Sequence, residues 1–160
     1  MPAAAGIRRA RPADAAALAR LRLAFRGEVE PAREDEAAFL ARCERWMAQR
    51  LGAGDWRAWL ASADGTPVGT AWLRLLEKLP NPVAEPEWHG YVSSLYVAPG
   101  WRGGGLGSRL LRACVEECER RGVDAVVLWP TPRSRALYLR HGFEVRDDLL
   151  ARRGGGTTNL

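Results

Sequence analysis

Residues 96–111 read YVAPGWRGGGLGSRLL, and the fold is decided by how this stretch is read. An apolar, strand-like segment ends at Val97, three glycines follow at Gly103, Gly104 and Gly105, and a leucine-rich helical pattern then begins without a conventional cap. Glycine loses more conformational freedom on ordering than any other residue, so such a run needs a compensating use. A glycine-rich turn between a strand and a helix aims free main-chain N–H groups and the positive end of the helix dipole at one point, which suits a phosphate. A side chain at Gly103, Gly104, Gly105 or Gly107 would hold a pyrophosphate off the main chain, while Ser108 could add a hydroxyl donor. The plainer use is a tight turn. A comparable run at Gly154–Gly156 has no strand before it and no helix after it, and it is assigned no site.

Outward from this stretch, Leu106, Leu110, Cys114 and Cys118 form one helical row with Leu111 and Val115 beside it, a stripe that has to be buried. Gly122 closes that helix. DAVVLW is a continuous apolar run suited to a strand covered on both faces, SRALYLRHG a short helix and FEVR a final strand. Upstream, Ile7–Ala10 reads as an opening strand and Pro12 and Asp14 as start signals for a helix with Leu18, Leu21 and Phe25 on one face. A second helix carries Leu40, Cys43, Met47 and Leu51 and stops at Gly52 and Gly54. Two period-two runs flank ADGT, an Asp-Gly hairpin signal, and a proline-rich loop leads to the strand YVSSLYV. The whole is expected to be α+β (mixed α/β).

The 160-residue length suggests one domain over residues 1–153, with 154–160 a flexible tail. Hydrophobic content of 47% and charged content of 27% are those of an ordinary soluble protein. No run is long and apolar enough to span a bilayer, and no secretory signal is read at the N-terminus, so a cytoplasmic location without membrane contact is expected. The net charge of +5 is carried almost wholly by scattered arginine, with Lys78 the only lysine, and no basic stripe interleaved with aromatics points to nucleic acid. Three cysteines and two histidines make no metal-ligand pattern, so no metal is expected.

Spacing narrows the phosphate ligand. A P-loop needs a lysine after its last glycine, and the dinucleotide fingerprint needs Gly-x-Gly-x-x-Gly starting at Gly103 or Gly105; neither is present. What stands here is Arg102-x-x-Gly105-x-Gly107 directly after LYVAPGW. This resembles the acyl-CoA-binding motif of the GNAT superfamily of N-acetyltransferases. IRRARPADAAALARLR, ADGTPVGTAWLRL and ALYLRHGFEV resemble that family's opening strand and helix, its first hairpin and its C-terminal signature, with Tyr138, Gly142 and Phe143 at the matching positions.

The resemblance implies a GNAT-like, mostly antiparallel mixed sheet of six or seven strands flanked by about four helices, and acetyl-CoA (coenzyme A) as cofactor. It implies that main-chain groups of Leu95 and Val97 hold the pantetheine arm where the fourth and fifth strands splay apart. Main-chain N–H groups of Arg102, Gly103, Gly104, Gly105, Leu106, Gly107 and Ser108 would hold the pyrophosphate. Thr131 stands where the family often has an asparagine, and DLLARRGGG is a poor seventh strand. Dimerisation is common in the family, so a homodimer is compatible with this reading.

Acetyl transfer to an amine requires the amine neutral, although a free lysine-like amine has a pKa near ~10.4. By resemblance Tyr138 would protonate the departing thiolate, its bland alternative being a core tyrosine. For the base, His89, Glu87 or a water chain remain open, since Glu87, His89, Tyr91 and Ser93 alternate along the entry to the fourth strand. Arg26, Glu28, Trp88, Tyr91 and Ser93 are the candidates for the acceptor entrance, which would take a small-molecule amine or a peptide. The expected function is an acetyl-CoA-dependent N-acetyltransferase working by direct attack in a ternary complex. The alternative is a non-catalytic acyl-CoA sensor or interaction module.

Overall fold

The computed structural model describes residues 4–154; the rest of the expected tail, including Gly155 and Gly156, lies outside the described residues. The chain falls into two compact units, one running to Leu128 and a smaller one from Trp129. In the larger unit, β1 (Gly6–Arg9), α1 (Ala15–Gly27), α2 (Glu36–Ala53), β2 (Trp56–Ala63), β3 (Thr66–Glu77), β4 (Trp88–Val97), α3 (Leu106–Arg121) and β5 (Ala125–Val127) follow in order. The smaller unit holds α4 (Arg135–Arg140).

The sheet runs β1-β2-β3-β4-β5, antiparallel except for the parallel β4–β5 pair. Asp64 (φ 47°) and Gly65 (φ 77°) make the β2–β3 connection with the two positive φ angles that match the strand twist. On one sheet face, Leu18 and Leu21 of α1 and Met47 of α2 close over Leu60, Trp72 and Tyr96. Asp35 caps α2 by accepting from the Ala38 N–H (3.0 Å), and Gly54 ends it at φ 80°. On the other face α3 sets Leu110, Leu111 and Cys114, each fully buried, against the sheet. Each such leucine contributes about 2 kcal/mol of transfer free energy.

Two sheet glycines let α3 approach this closely. A Cβ on Gly90 would stand 2.7 Å from Cys118 Sγ, and one on Gly69 would stand 3.1 Å from Leu110 and 2.9 Å from the Tyr96 carbonyl. One charged residue also lies on the buried stripe. Glu117 reaches Arg57 Nε on β2 at 2.9 Å, Arg120 at 2.6 Å and Arg121 at 3.4 Å. Burial raises its carboxyl pKa, but the hydrogen bonds from Arg120 and Arg121 outweigh that and hold it below the ordinary value.

The sheet has five strands among the described residues, not six or seven. The expected last strand, FEVR, does not form. Gly142 (φ 83°) turns the chain back at the end of α4, the Phe143 N–H donates to the Tyr138 carbonyl (3.1 Å), and the Phe143 ring lies edge-on to Tyr138 at 5.6 Å. Val145 is then left 72% exposed, with no apolar face to hold a strand in register. DLLAR is likewise not a strand. The run DAVVLW, expected to be covered on both faces, is strand only over Ala125–Val127, all half-buried, and Trp129 is 54% exposed.

β4 contains an extra residue. Tyr96 pairs with Thr70 and Ser93 with Trp72, so three steps on β4 oppose two on β3, and Ser94 takes φ 51°. The bulge reverses the alternation. Tyr91 before it meets Trp56 (6.1 Å) and Tyr96 after it meets Phe25 (5.5 Å), both on the α1 and α2 face.

Candidate functional site

After Val97 the chain makes a short turn, Pro99–Trp101, before the glycines. The Arg102 N–H donates to the Pro99 carbonyl (3.3 Å), so it is not among the open donors that the sequence suggested. The first α3 amide with a main-chain acceptor is that of Arg109, bonded to the Gly105 carbonyl (3.1 Å). Among the described residues, the intervening amides of Gly103, Gly104, Gly105, Leu106, Gly107 and Ser108 make no hydrogen bond to the protein. Gly105 sits at the N-cap with φ 81°, a left-handed conformation that L side chains rarely adopt. A Cβ at Gly103, Gly104 or Gly105 would meet nothing within 4 Å, so a ligand has direct access to the main chain there. A pyrophosphate fits that arrangement.

The edge leading to this turn is also open. β4 pairs with β5 only at His89, Gly90 and Tyr91, against Ala125, Val126 and Val127. From Val92 onward no strand covers that side of β4 among the described residues. This leaves the bulge and Leu95 beside an unoccupied strand position. The Val97 carbonyl accepts from Arg102 Nε (2.8 Å).

Arg102 and Glu28, expected in different sites, hold each other. One guanidinium nitrogen of Arg102 reaches both Glu28 oxygens at 2.7 and 2.8 Å, and Tyr96 Oη donates to the same carboxylate at 3.0 Å. Arg26, Tyr91 and Ser93, also expected at the entrance, are engaged as well. Arg26 pairs with Glu30 (3.1 Å), Tyr91 Oη lies 3.4 Å from Ser93 Oγ, and Trp88 is 37% exposed at the start of β4. His89 stands in register between Leu76 and Ala125, and its buried Nδ1 has no hydrogen-bond partner among the described residues. Glu87 is exposed, and its carbonyl accepts from the Lys78 N–H (2.7 Å).

In the smaller unit, Tyr138 is buried on α4, its ring edge-on to Phe143. The Thr131 hydroxyl is 2.9 Å from Ser134 Oγ and accepts from the Ser134 N–H (3.3 Å), an arrangement that tightens the entry to α4.

One residue outside the sequence candidates adjoins the bulge. Arg22 of α1 extends Nη1 to Ser94 Oγ at 3.4 Å. Trp56 and Trp72 lie on the same sheet face, and among the described residues their buried indole N–H groups have no acceptor. The one sign of Arg22 in the sequence is an arginine within the row Leu18, Leu21, Phe25.

The fourth strand thus bulges and parts from the fifth, ahead of a turn with open amides. The chain belongs to the acetyltransferase (GNAT) family, whose model matches residues 16–143. It is 36% identical over 108 residues to an aminoglycoside N(6′)-acetyltransferase type 1 from Stenotrophomonas maltophilia, a match covering 67% of this chain and 63% of that protein. The match therefore spans less than two thirds of that relative's length. A solved GCN5-related N-acetyltransferase from Ralstonia eutropha JMP134 superposes with a TM-score of 0.78 at 26% identity, covering 95% of this chain and 100% of that one. A predicted acetyltransferase from Clostridium acetobutylicum, crystallised with acetyl-CoA, has a TM-score of 0.80 at 20% identity over 94% of this chain and 96% of that one. At that identity the likeness is one of fold.

Proposed function

We propose that this chain is an N-acetyltransferase that moves an acetyl group from acetyl-CoA to an amine by direct attack in a ternary complex. The supporting observation is the run of amides from Gly103 to Ser108, open to ligand and without protein acceptors. Bound there, acetyl-CoA supplies the activated thioester. The open edge of β4 at Leu95 would take the pantetheine arm.

In the reaction the amine nitrogen forms the C–N bond, the C–S bond breaks, and one proton moves from nitrogen toward sulfur. Tyr138, by its place in the family motif, supplies the thiolate's proton. His89, Glu87 or a water accepts the amine's, and the unpartnered Nδ1 of His89 favours the histidine. No covalent acyl carrier is needed. Cys114 and Cys118 are buried on the sheet-facing side of α3, and burial pushes the Cys118 thiol up to about 11 and that of Cys114 higher still, so neither offers a thiolate near neutral pH. The non-catalytic sensor is not favoured, because the family is one of acetyltransferases. Among the described residues no helix is long and apolar enough to cross a membrane.

Acetyl-CoA should raise the Tm, and thiol release should be seen with members of an amine panel. Tyr138→Phe should lower kcat at least about tenfold, the usual minimum for lost general acid–base help, with little change in acetyl-CoA affinity. No Tm shift would remove the cofactor. Unchanged kcat in the Phe variant would return Tyr138 to a packing role.

A further inference from the structure

Arg22 lies in the apolar row of α1, half-buried, its guanidinium carbon 5.6 Å from the Phe25 ring centre. A guanidinium offers five N–H donors, yet its one hydrogen bond among the described residues is the long contact to Ser94 Oγ (3.4 Å). Among the described residues no carboxylate faces it. The groups that act on it are Arg26 from its own helix, Cys43 from α2 and Tyr91 from β4, and desolvation dominates, weakening its hold on its proton. Neighbouring arginines are matched: Arg26 by Glu30, Arg102 by Glu28 and Arg74 by Asp55 (3.5 Å). A desolvated cation without a counter-ion is costly, and such a group persists where a ligand supplies the missing charge.

We infer that Arg22 receives an anionic group of the acceptor, so that the acetylated amine belongs to a molecule that also carries a carboxylate or a phosphate. The inference rests on the transferase reading and deepens it. Ser94, which Arg22 touches, is the bulge residue where β4 has already parted from β5, so an anion on Arg22 lies beside the open edge assigned to the acyl arm. The same face supplies further donors. The Trp56 and Trp72 indole N–H groups there are buried without acceptors among the described residues. The carboxylates that could have drawn a polycation, Glu28 and Glu30, are already bound to Arg102 and to Arg26. A polyamine or an aminoglycoside is therefore disfavoured as acceptor, although the curated relative acts on aminoglycosides by its name.

The test is thiol release from acetyl-CoA with matched amines: amino acids, their amides and methyl esters, aminoalkyl phosphates, and polycationic amines. Anionic amines should lead their neutral forms by roughly tenfold or more in kcat/KM, the worth of a charge-assisted hydrogen bond, and the carboxylate and phosphate arms tell the two sources apart. Arg22→Met keeps the apolar stem. It should raise KM for the anionic amines roughly 10- to 100-fold, change the neutral ones less than about twofold, and leave the acetyl-CoA Tm shift intact. Arg22→Lys should recover part of the loss. Because no carboxylate pairs with this charge among the described residues, Arg22→Met should also hold or raise the Tm without ligand, whereas an arginine with a structural role would lower it. Neutral or polycationic amines reacting as well as anionic ones, equal effects of Arg22→Met on all substrates, or a panel with no anionic substrate while acetyl-CoA binds would each overturn the inference. Failure of the wild-type protein to bind acetyl-CoA would instead overturn the transferase reading on which it rests.

Discussion

The turn before α3 and the face around Arg22 are built from different parts of the chain. The turn is main chain: its donors are amides, its access comes from absent side chains, and its residues are contiguous. The face is side chain: a guanidinium from α1, indoles from β2 and β3, and hydroxyls from β4. The first tolerates almost no added atoms and is indifferent to most side-chain chemistry. The second should answer to charge and shape in graded steps.

The sharpest challenge is Gly105→Glu, which puts a charged side chain at φ 81° into the open cradle. It should lower acetyl-CoA affinity more than about a hundredfold, consistent with several charge-assisted amide bonds lost at once, and isothermal titration would measure it. Retained affinity would break the comparison. Arg102→Ala tests where the boundary falls. Arg102 lies in the motif, but its side chain serves Glu28 and the Val97 carbonyl. For an ion pair about one-third exposed, a loss of roughly 1 kcal/mol, or about 2–4 °C in Tm, is expected, with acetyl-CoA affinity changed less than about threefold. A hundredfold loss of affinity would place that side chain in the cradle. Ser108→Ala removes a hydroxyl and no amide, and should cost less than about threefold by the same titration.

A control away from both regions comes from acid. Arg8 donates two hydrogen bonds to Asp14, which hold its carboxyl at about 2. A depressed folded-state value gives stability that is present above the ordinary carboxylate range and lost as pH falls toward 2. With Arg8 49% exposed the term is discounted to under about 1 kcal/mol. Asp14→Asn should shrink the fall in Tm between pH 4 and pH 2 by that small amount. An unaltered fall would remove Asp14 from acid sensitivity.

What was legible followed the same division. Helix rows, the Asp-Gly hairpin and the turn at Gly103–Gly105 could be read because local residue type dictates local backbone there. The bulge could not, since Ser94 adopts φ 51° in a stretch, Ser93-Ser94-Leu95, with neither glycine nor proline to announce it. FEVR has the alternation of a strand, but Gly142 and the Tyr138–Phe143 contact turn it elsewhere, and no pattern of four residues reveals that. Glu117 could have been questioned as a carboxylate beside Cys114 and Cys118, although its partner Arg57 becomes visible only across the β2 pairing. Reading the expected entrance as free side chains overlooked that Glu28 and Arg102, 74 positions apart, neutralise each other.

The glycine contacts under α3 carry a further consequence. Leu110 and Cys118 rest in notches at Gly69 and Gly90, about 12 Å apart along a helix that rises 1.5 Å per residue. Two such seats fix the rod against rocking and sliding, so the aim of its leading tip is governed by strands far behind it. A lone methyl group at position 90 would act as a wedge under the trailing end, misdirecting the tip although it touches no part of the turn.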